Sequence, residues 1–111
     1  MNKYKELKVW LNGVELTKKV YQLTATFPTR EQYGLISQMN RSAVSVSSNI
    51  AEGAGRNSNG EFKQFLGIAV GSLFELETQL IIAKELLFIN EIAKFDEISN
   101  DITSLLNMLF K

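Results

Sequence analysis

The side chains best suited to chemistry lie in the middle of the chain, but their spacing argues against an active site. Glu75 and Glu77 resemble a pair of carboxylates for metal binding or acid–base catalysis. Residues two apart on a helix point in different directions, so these two carboxylates do not face one substrate. A di-iron bundle uses Glu-x-x-His motifs, and the sequence contains no histidine. We therefore predict no metal site and no cofactor.

The composition removes most other routes to catalysis. Cysteine and histidine are both absent, and these residues supply the usual zinc ligands, the general base near neutral pH and the partner of a nucleophilic serine. A Ser-x-x-Lys arrangement would replace histidine, but no serine here has a lysine three positions later. We predict that the protein is not an enzyme.

Residues 55–60 reproduce the glycine spacing of a phosphate-binding loop. Glu61 and Phe62 follow, however, where such a loop requires lysine and then serine or threonine. No strand is predicted before the segment, and a carboxylate repels phosphate. The segment is therefore predicted to be a turn that joins two helices.

Several residues are predicted to hold this turn together. Gly53 and Gly55 supply the positive backbone angles that helix ends and tight turns prefer. Ser58 and Glu61 have the spacing of a capping box for the helix that follows. The charged side chains of Glu52, Arg56 and Glu61 are predicted to form a structural ion-pair cluster, and with Gly53 they make up the predicted turn cluster.

Apolar residues recur at helical spacing along the whole chain. The pattern predicts four amphipathic helices, at about residues 5–26, 30–53, 59–89 and 92–110. Pro28 ends the first helix, and a Thr-x-x-Gln capping box that begins at Thr29 starts the second. Four helices with short connections predict one domain, residues 1–111, with an all-α, antiparallel up-down-up-down four-helix bundle fold.

The helices carry more apolar side chains than the core of one bundle needs. Off the core stripes lie Leu35, Val44, Ile68, Val70, Phe74, Ile81, Ile82, Leu86 and Phe88. A helix that is apolar around much of its circumference is buried on more than one side, and in so small a bundle the second side is another protein surface. Gly67 and Gly71 would let a neighbouring helix approach closely. The sequence therefore predicts self-association.

A polar row runs along the second predicted helix. It consists of Arg41, Ser45, Ser48 and Glu52, at steps of four, three and four. Such a row is typical either of a solvated face or of a polar contact with another subunit. The sequence leaves both interpretations open.

Charge is balanced overall but uneven along the chain. The 111 residues carry no net charge, yet residues 1–63 hold nine Lys/Arg against five Asp/Glu, and residues 64–111 hold three against seven. A basic face is compatible with this distribution. No run of about 18 apolar residues occurs, which predicts no membrane span, and the lack of cysteine and of a signal-like N-terminus predicts a cytoplasmic location.

Motifs along most of the chain resemble those of a bacterial family of four-helix bundles encoded in intervening sequences of 23S ribosomal RNA genes, often called the S23 ribosomal protein family. They occur in the family's order, to about Phe88: Val9-Trp10, Val20 to Thr24, Phe27-Pro28, Tyr33 to Leu35, Ser37-Gln38, Ser48 to Gly53, Arg56, Glu61-Phe62, Phe65-Leu66, Gly71-Ser72 and Glu75 to Leu80. Asn40 and Ser47 depart from the pattern, since the family often has arginine and proline there.

The resemblance implies assembly as a homopentameric ring. It also implies a relationship to the accessory variability protein of diversity-generating retroelements, which binds nucleic acid and a reverse transcriptase through a basic ring. The partners expected from the resemblance are further copies of the chain, and RNA or a nucleic-acid-processing protein, with no membrane. Replacement of a basic residue by Asn40 weakens the expectation of nucleic-acid binding.

Two functional hypotheses follow. The first is a non-catalytic, ring-forming protein that associates with RNA or a ribonucleoprotein by neutralising phosphates. Its predicted contacts are Lys5, Lys8, Lys18, Lys19, Arg41, Arg56 and Lys63, although these residues equally suit a merely soluble surface. The alternative is a protein-interaction scaffold that binds no nucleic acid. A basic patch on one face favours the first hypothesis, and an exposed apolar patch with mixed charges favours the second.

Overall fold

The computed structural model describes residues 4–110, apart from the side chain of Glu6, and contains four α-helices. They are α1 (Lys8–Thr24), α2 (Leu35–Ala54), α3 (Asn59–Glu85) and α4 (Ile92–Leu109), with short 3-10 helices at Tyr4–Glu6 and Thr29–Glu31. Each helix packs against two others, in the cycle α1, α2, α3, α4 and back to α1. The connections are short, so successive helices run antiparallel. The predicted all-α four-helix bundle is confirmed.

The core lies on the axis of the bundle and draws on all four helices. Its apolar members have 8% exposure or less, and they are Leu16, Val20, Leu23, Phe27, Leu35, Ile36, Met39, Ala43, Val46, Ile50, Ala69, Leu73, Leu76, Leu80, Ala83, Ile98, Ile102 and Leu105. Within each helix these residues recur every three or four positions, which keeps them on one face. The hydrophobic periodicity of the sequence thus gives most of the core, and the exception is Leu35, which was predicted to lie off the core stripes.

The second helix begins later than the sequence predicts. Thr29 starts only one turn of 3-10 helix, which has no side-chain cap, and α2 begins at Leu35. Gly34 has φ −110° and ψ −112°, which breaks the helical path between the two. The carboxylate of Glu31, instead of the hydroxyl of Thr29, accepts a hydrogen bond from the N–H of Leu35, at 3.3 Å. The prediction that a Thr-x-x-Gln capping box starts the second helix is therefore wrong.

Two other helix ends differ from their predicted positions by three residues or more. The first α-helix begins at Lys8 instead of residue 5, because Leu7 has an extended backbone. The third ends at Glu85 instead of residue 89, because Leu87 adopts a left-handed backbone with φ 65°. The N–H groups of Leu87 and Phe88 donate back to the carbonyls of Lys84 and Ala83 at 3.0 and 2.9 Å. This pattern is a Schellman motif, in which glycine usually occupies the left-handed position.

Gly53 has a different role from the predicted one. None of the glycines in residues 4–110 has a positive φ, and Gly55 lies at φ −85°, so the predicted backbone angles are wrong. Gly53 is buried where α2 and α3 come close together. A Cβ atom there would lie 2.9 Å from Cβ of Phe65 and 3.0 Å from Cδ1 of Phe62. Glycine is required at this position for close helix packing.

Gly13 serves the same purpose between α1 and α2. A Cβ on this buried glycine would lie 2.6 Å from Oγ of Ser47. The close approach lets the Thr17 hydroxyl donate to the Ala43 carbonyl across the two helices, at 3.1 Å. Packing thus offsets the low helix propensity of a glycine inside a helix, which costs about 1 kcal/mol relative to alanine.

Candidate functional site

The main unpartnered surface of the bundle lies on α3. Four large apolar side chains point away from the core with similar exposure: Ile68 (46%), Phe74 (47%), Ile81 (47%) and Ile82 (43%). Together with Gly67 and Gly71 they are called here the α3 outer face, on which the exposed Glu75 and Thr78 also lie. The opposite side of the same helix carries core residues such as Leu73 and Leu76, both fully buried. The helix is therefore apolar on both sides, but the chain covers only one.

Gly67 and Gly71 lie open on this outer face. A Cβ at either position would have nothing within 4 Å outside its own helix, so no part of the described chain uses these glycines for close approach. Because glycine has no side chain, the helix surface is shallow between Ile68 and Phe74. The neighbouring helix that their spacing predicts is not one of the helices of this bundle.

The apolar character of α3 has a second consequence. Among the described residues it is the one helix that is long and apolar enough to cross a membrane by length and composition. Core helices meet the same criterion, and a third of the most apolar stretch of α3 is buried in the bundle. The prediction from the sequence that no such stretch exists was based on unbroken apolar runs, and α3 is interrupted by Ser72, Glu75, Glu77 and Thr78.

A polar groove runs beside the outer face, between α2 and α3. Its volume is about 450 Å³, and its lining, called here the α2–α3 groove, consists of Gln38, Arg41, Ser42, Ser45, Glu75 and Gln79. The hydroxyl of Ser72 donates a hydrogen bond to the hydroxyl of Ser45 at 2.7 Å, which joins α3 to α2. The side chain of Gln79 is 8% exposed, and its Oε1 has no hydrogen-bond partner within the described chain.

The residues of the predicted polar row on α2 differ in exposure. Arg41, Ser48 and Glu52 are exposed, whereas Ser45 is half-buried and bonded to α3. Asn49 donates to the hydroxyl and to the carbonyl of Ser45, at 2.9 and 2.8 Å. The row is therefore in part a contact within the bundle, an arrangement that neither interpretation of the sequence included.

Three of the seven basic residues predicted to bind nucleic acid are paired with carboxylates inside the chain. Lys19 contacts Asp101 at 2.7 Å and Glu97 at 3.1 Å. Lys18 contacts Glu15 at 3.3 Å, and Arg56 contacts Glu52 at 3.1 Å. Such pairing lowers the positive charge that these residues offer to a phosphate backbone.

The ion pairs of Lys19 with Glu97 and Asp101 join α1 to α4. Its hydrogen bonds to Asp101 and then to Glu97 raise the pKa of Lys19 above its ordinary value, against the opposing effect of partial burial. Glu97 and Asp101 are four residues apart, so they lie on the same face of α4. That spacing was the available signal in the sequence, but nothing in the sequence identified Lys19 as the partner.

The four other predicted basic residues do not share one face. Lys5, Lys8 and Lys63 are exposed in the first residues of their helices, at the end of the bundle where α1 and α3 begin. Arg41 is exposed in the α2–α3 groove. Within the described residues none of these four takes part in an ion pair. The structure gathers three of them loosely at one end.

The turn cluster forms in part. Arg56 pairs with Glu52, and its guanidinium lies over the ring of Phe65, 4.8 Å from the ring centre. Glu61 does not join this ion pair: its N–H donates to Oγ of Ser58 at 3.1 Å, and its carboxylate accepts from the Ser58 hydroxyl at 3.3 Å. The predicted Ser58 cap is confirmed. Glu61 bonds to Ser58 because it lies at the third helical position after the cap.

The carboxylates offer no obvious catalytic constellation. Glu75 is exposed in the groove, whereas Glu77 is half-buried on another side of α3. Within residues 4–110 no group of three or more Asp or Glu side chains is arranged to hold a metal ion. Sequence reasoning missed Gln79, because its position between Leu76 and Leu80 made it an ordinary member of a core helix.

The fold and its surfaces define an all-α four-helix bundle with one uncovered apolar helix face. The sequence model of the 23S rRNA-intervening sequence protein family matches residues 5–111. The chain therefore belongs to this family, and the resemblance noted in the sequence is confirmed. A search of curated proteins gives no match.

A solved structure shows the same fold. It is the crystal structure of a protein of unknown function from the S23 ribosomal protein family, from Bacteroides thetaiotaomicron VPI-5482. It matches this chain with a TM-score of 0.80 and 23% sequence identity, over 91% of this chain and 94% of that one. At this identity the likeness shows a shared fold.

Proposed function

We propose that this protein is a non-catalytic interaction scaffold that assembles with further copies of itself into a ring, with the α3 outer face in the subunit interface. The observation that carries the proposal is the exposure of Ile68, Phe74, Ile81 and Ile82 on one side of a single helix. Burial of apolar surface is the main favourable term in protein association. A second copy would remove this strip from water.

The size of the strip suits a helix-to-helix contact. From Gly67 to Ile82 an α-helix spans about 22 Å at 1.5 Å per residue. Contiguous apolar patches of this kind on small proteins commonly mark interaction sites. Mixed charges flank the strip, with Lys63 and Glu75 both exposed on α3. An exposed apolar patch with mixed charges is the pattern that favours a protein-interaction scaffold.

The ring and its five-fold symmetry come from the family resemblance. A ring needs a heterologous contact, in which two different faces of each copy meet. The uneven charge fits this requirement, because residues 1–63 carry a net charge of +4 and residues 64–111 a net charge of −4. A neutral chain with oppositely charged halves is complementary to its own copies.

The proposal is tested by matched substitutions of exposed apolar residues. Phe74→Glu puts a charge on the α3 outer face, and Leu11→Glu puts one on α1, where Leu11 has the same 47% exposure. Native mass spectrometry and sedimentation velocity measure assembly of both variants and of the parent chain. We expect Phe74→Glu to be monomeric and Leu11→Glu to assemble as the parent does. Assembly of Phe74→Glu equal to that of the parent chain would remove the α3 outer face from the interface.

RNA association is the second candidate function. It is favoured by the position of Lys5, Lys8 and Lys63 at one end of the bundle without ion pairs in the described chain. In a ring, each copy would add its set of charges. Binding would then be weakly sequence-specific and would fall steeply with salt, because phosphate neutralisation releases counterions.

Fluorescence anisotropy of a labelled structured RNA, repeated over a salt series, tests this candidate. The triple variant K5M/K8M/K63M should bind more weakly and with a smaller salt slope than the parent chain. The control K18M/K19M changes two lysines that already contact carboxylates, and it should bind nearly as the parent does. Absence of RNA binding at low salt would contradict RNA association as a function of this protein.

A further inference from the structure

A second apolar surface lies between α1 and α2. It is a groove of about 240 Å³, called here the α1–α2 groove, and its lining consists of Val14, Thr17, Lys18, Val44, Ser47 and Ser48. Val44 is 41% exposed. The hydroxyl of Thr17 donates to the carbonyls of Gly13 and Ala43 inside the bundle, and the side-chain oxygen of Ser47 is buried. The surface that the groove offers is therefore largely apolar.

The groove and the α3 outer face have complementary shapes. Phe74 is the aromatic residue of the α3 outer face and is 47% exposed. A cavity of about 150 Å³ accommodates benzene, so the groove has room for one phenylalanine ring. Gly71, one turn before Phe74, has no side chain to hold a neighbouring helix away. An exposed ring beside an open glycine can thus enter a shallow groove.

The two surfaces belong to parts of the chain with opposite charge. Residues 1–63, which contain the groove, carry a net charge of +4, and residues 64–111, which contain Phe74, carry a net charge of −4. The lining of the groove includes Lys18, and none of its residues is acidic. A contact between two α3 outer faces would bring two acidic parts together. A contact between an outer face and a groove brings opposite charges together, which electrostatic complementarity favours.

The positions of the helices allow one copy to use both surfaces at once. Within the described residues α1 contacts α2 and α4 but not α3, so α1 and α3 lie at opposite corners of the bundle. The groove beside α1 and the outer face of α3 therefore point in different directions. Contacts between two different faces of each copy add subunits in one direction and form a ring when the rotation closes.

We infer that Phe74 on the α3 outer face of one copy inserts into the α1–α2 groove of the next copy, where it packs against Val14 and Val44. The inference rests on the proposed self-assembly and names the second face of the subunit contact. A buried aromatic side chain in a pocket is a common centre of binding energy in protein interfaces. The groove also gives a role to Val44, which does not belong to the core.

The test uses variants that each damage one face. Val44→Glu puts a charge in the groove and leaves Phe74 intact, whereas Phe74→Glu leaves the groove intact. Leu11→Glu is the matched control, because Leu11 is exposed on α1 but does not line the groove. Ser48→Glu, at an exposed position of the lining, replaces Val44→Glu if thermal melting shows that Val44→Glu does not fold. Sedimentation velocity measures assembly of each variant alone and of Val44→Glu mixed with Phe74→Glu.

We expect Val44→Glu alone to lose assembly, as Phe74→Glu does, and to keep the melting behaviour of a folded monomer. The equal mixture should form dimers that contain one copy of each variant, because the intact Phe74 of one can enter the intact groove of the other. Growth should stop at two copies, since the remaining groove and the remaining outer face each carry a charge. Native mass spectrometry identifies such dimers, because the two variants differ in mass.

The results that would overturn the inference are distinguishable from failure of the proposed function. Assembly of Val44→Glu equal to that of the parent chain would exclude the groove, while self-assembly through the α3 outer face would stand. Equal losses of assembly in Leu11→Glu and Val44→Glu would show that the effect does not depend on the groove. A mixture that contains only monomers would exclude the contact between groove and Phe74. A parent chain that stays monomeric at all concentrations would refute the proposed function itself.

Discussion

Both sides of α3 carry large apolar residues, but other helices of the bundle cover only the inner side. Leu73, Leu76 and Leu80 on the inner side are fully buried, whereas Phe74, Ile81 and Ile82 on the outer side are 43–47% exposed. The inner side packs against α2 and α4, and the outer side packs against no helix of the described chain. The comparison separates residues that make the fold from residues available for association. Substitutions on the two sides should therefore differ in kind.

The largest effect is expected from the inner side. Leu76→Ala should lower the free energy of unfolding by about 2 to 5 kcal/mol, because it removes buried methyl groups and leaves a cavity. Phe74→Ala, on the outer side, should change the stability of the monomer by about 0.5 kcal/mol or less. Urea unfolding at low protein concentration measures both. Equal losses from the two variants would contradict the division between the two sides.

The next effect concerns the contact that holds the inner side of α3 close to α2. Gly53→Ala should destabilise the fold by about 1 to 3 kcal/mol, because the added Cβ overlaps Phe62 and Phe65 and forces the helices apart. Gly71→Ala is the control on the outer side, where a Cβ meets nothing within 4 Å, and it should stabilise α3 by up to about 1 kcal/mol. A neutral Gly53→Ala in thermal melts would show that the helices adjust without cost.

The end of α3 offers a gain in stability. Leu87 has φ 65° and is 81% exposed, so glycine would relieve backbone strain and lose little packing. Leu87→Gly should raise the free energy of unfolding by about 1 kcal/mol. Leu86→Gly, next to it with φ −83°, should bring no gain. If Leu87→Gly lowers the melting temperature, the left-handed backbone does not describe this helix end in solution.

The smallest effect is expected where α4 meets α1. Lys19→Met should reduce stability by less than about 1 kcal/mol, since Lys19 and its carboxylates are partly exposed. Asp101 and then Glu97 raise the pKa of Lys19 in the folded state above its ordinary value of 10.5. The stabilising contribution is therefore complete below about pH 10.5 and is lost as the pH rises through the folded-state pKa.

Denaturant unfolding of the parent chain and of Lys19→Met, at neutral and at alkaline pH, checks this prediction. The difference between the two proteins should shrink at alkaline pH. Lys18→Met is the control, because Lys18 and Glu15 lie on the same exposed stretch of α1 and do not join two helices. A difference that grows as the pH rises would contradict the assignment.

Much of the fold could be predicted from periodicity, and the exceptions have physical causes. The buried positions of α3 from Ala69 to Ala83 and the Ser58 cap follow from local pattern, which the structure confirms, whereas Leu87 on the same predicted stripe is 81% exposed. The start of α2 was misplaced because a good capping sequence at Thr29 is overridden by the backbone break at Gly34. Gly53 was assigned to a turn because the sequence gives no sign of the two phenylalanines that crowd it.

The candidate site was less predictable than the fold. The excess of apolar residues on α3 is visible in the sequence, and it indicated a second covered surface. The pairing of Lys19 with α4, which removes it from a basic face, depends on contacts between residues about 80 positions apart. The unpaired oxygen of Gln79 depends on the space between two helices, which no local pattern describes. Long-range packing thus decides which surface residues remain available.

Self-assembly is the central claim, and sedimentation equilibrium of the unmodified chain over a wide concentration range tests it most directly. A ring closed through the α3 outer face should appear as one species of defined stoichiometry, five copies if the family resemblance holds, in equilibrium with monomer at low concentration. A chain of 12.5 kDa that remains monomeric at the highest concentrations would contradict the account. The exposed strip on α3 would then require a partner other than a second copy.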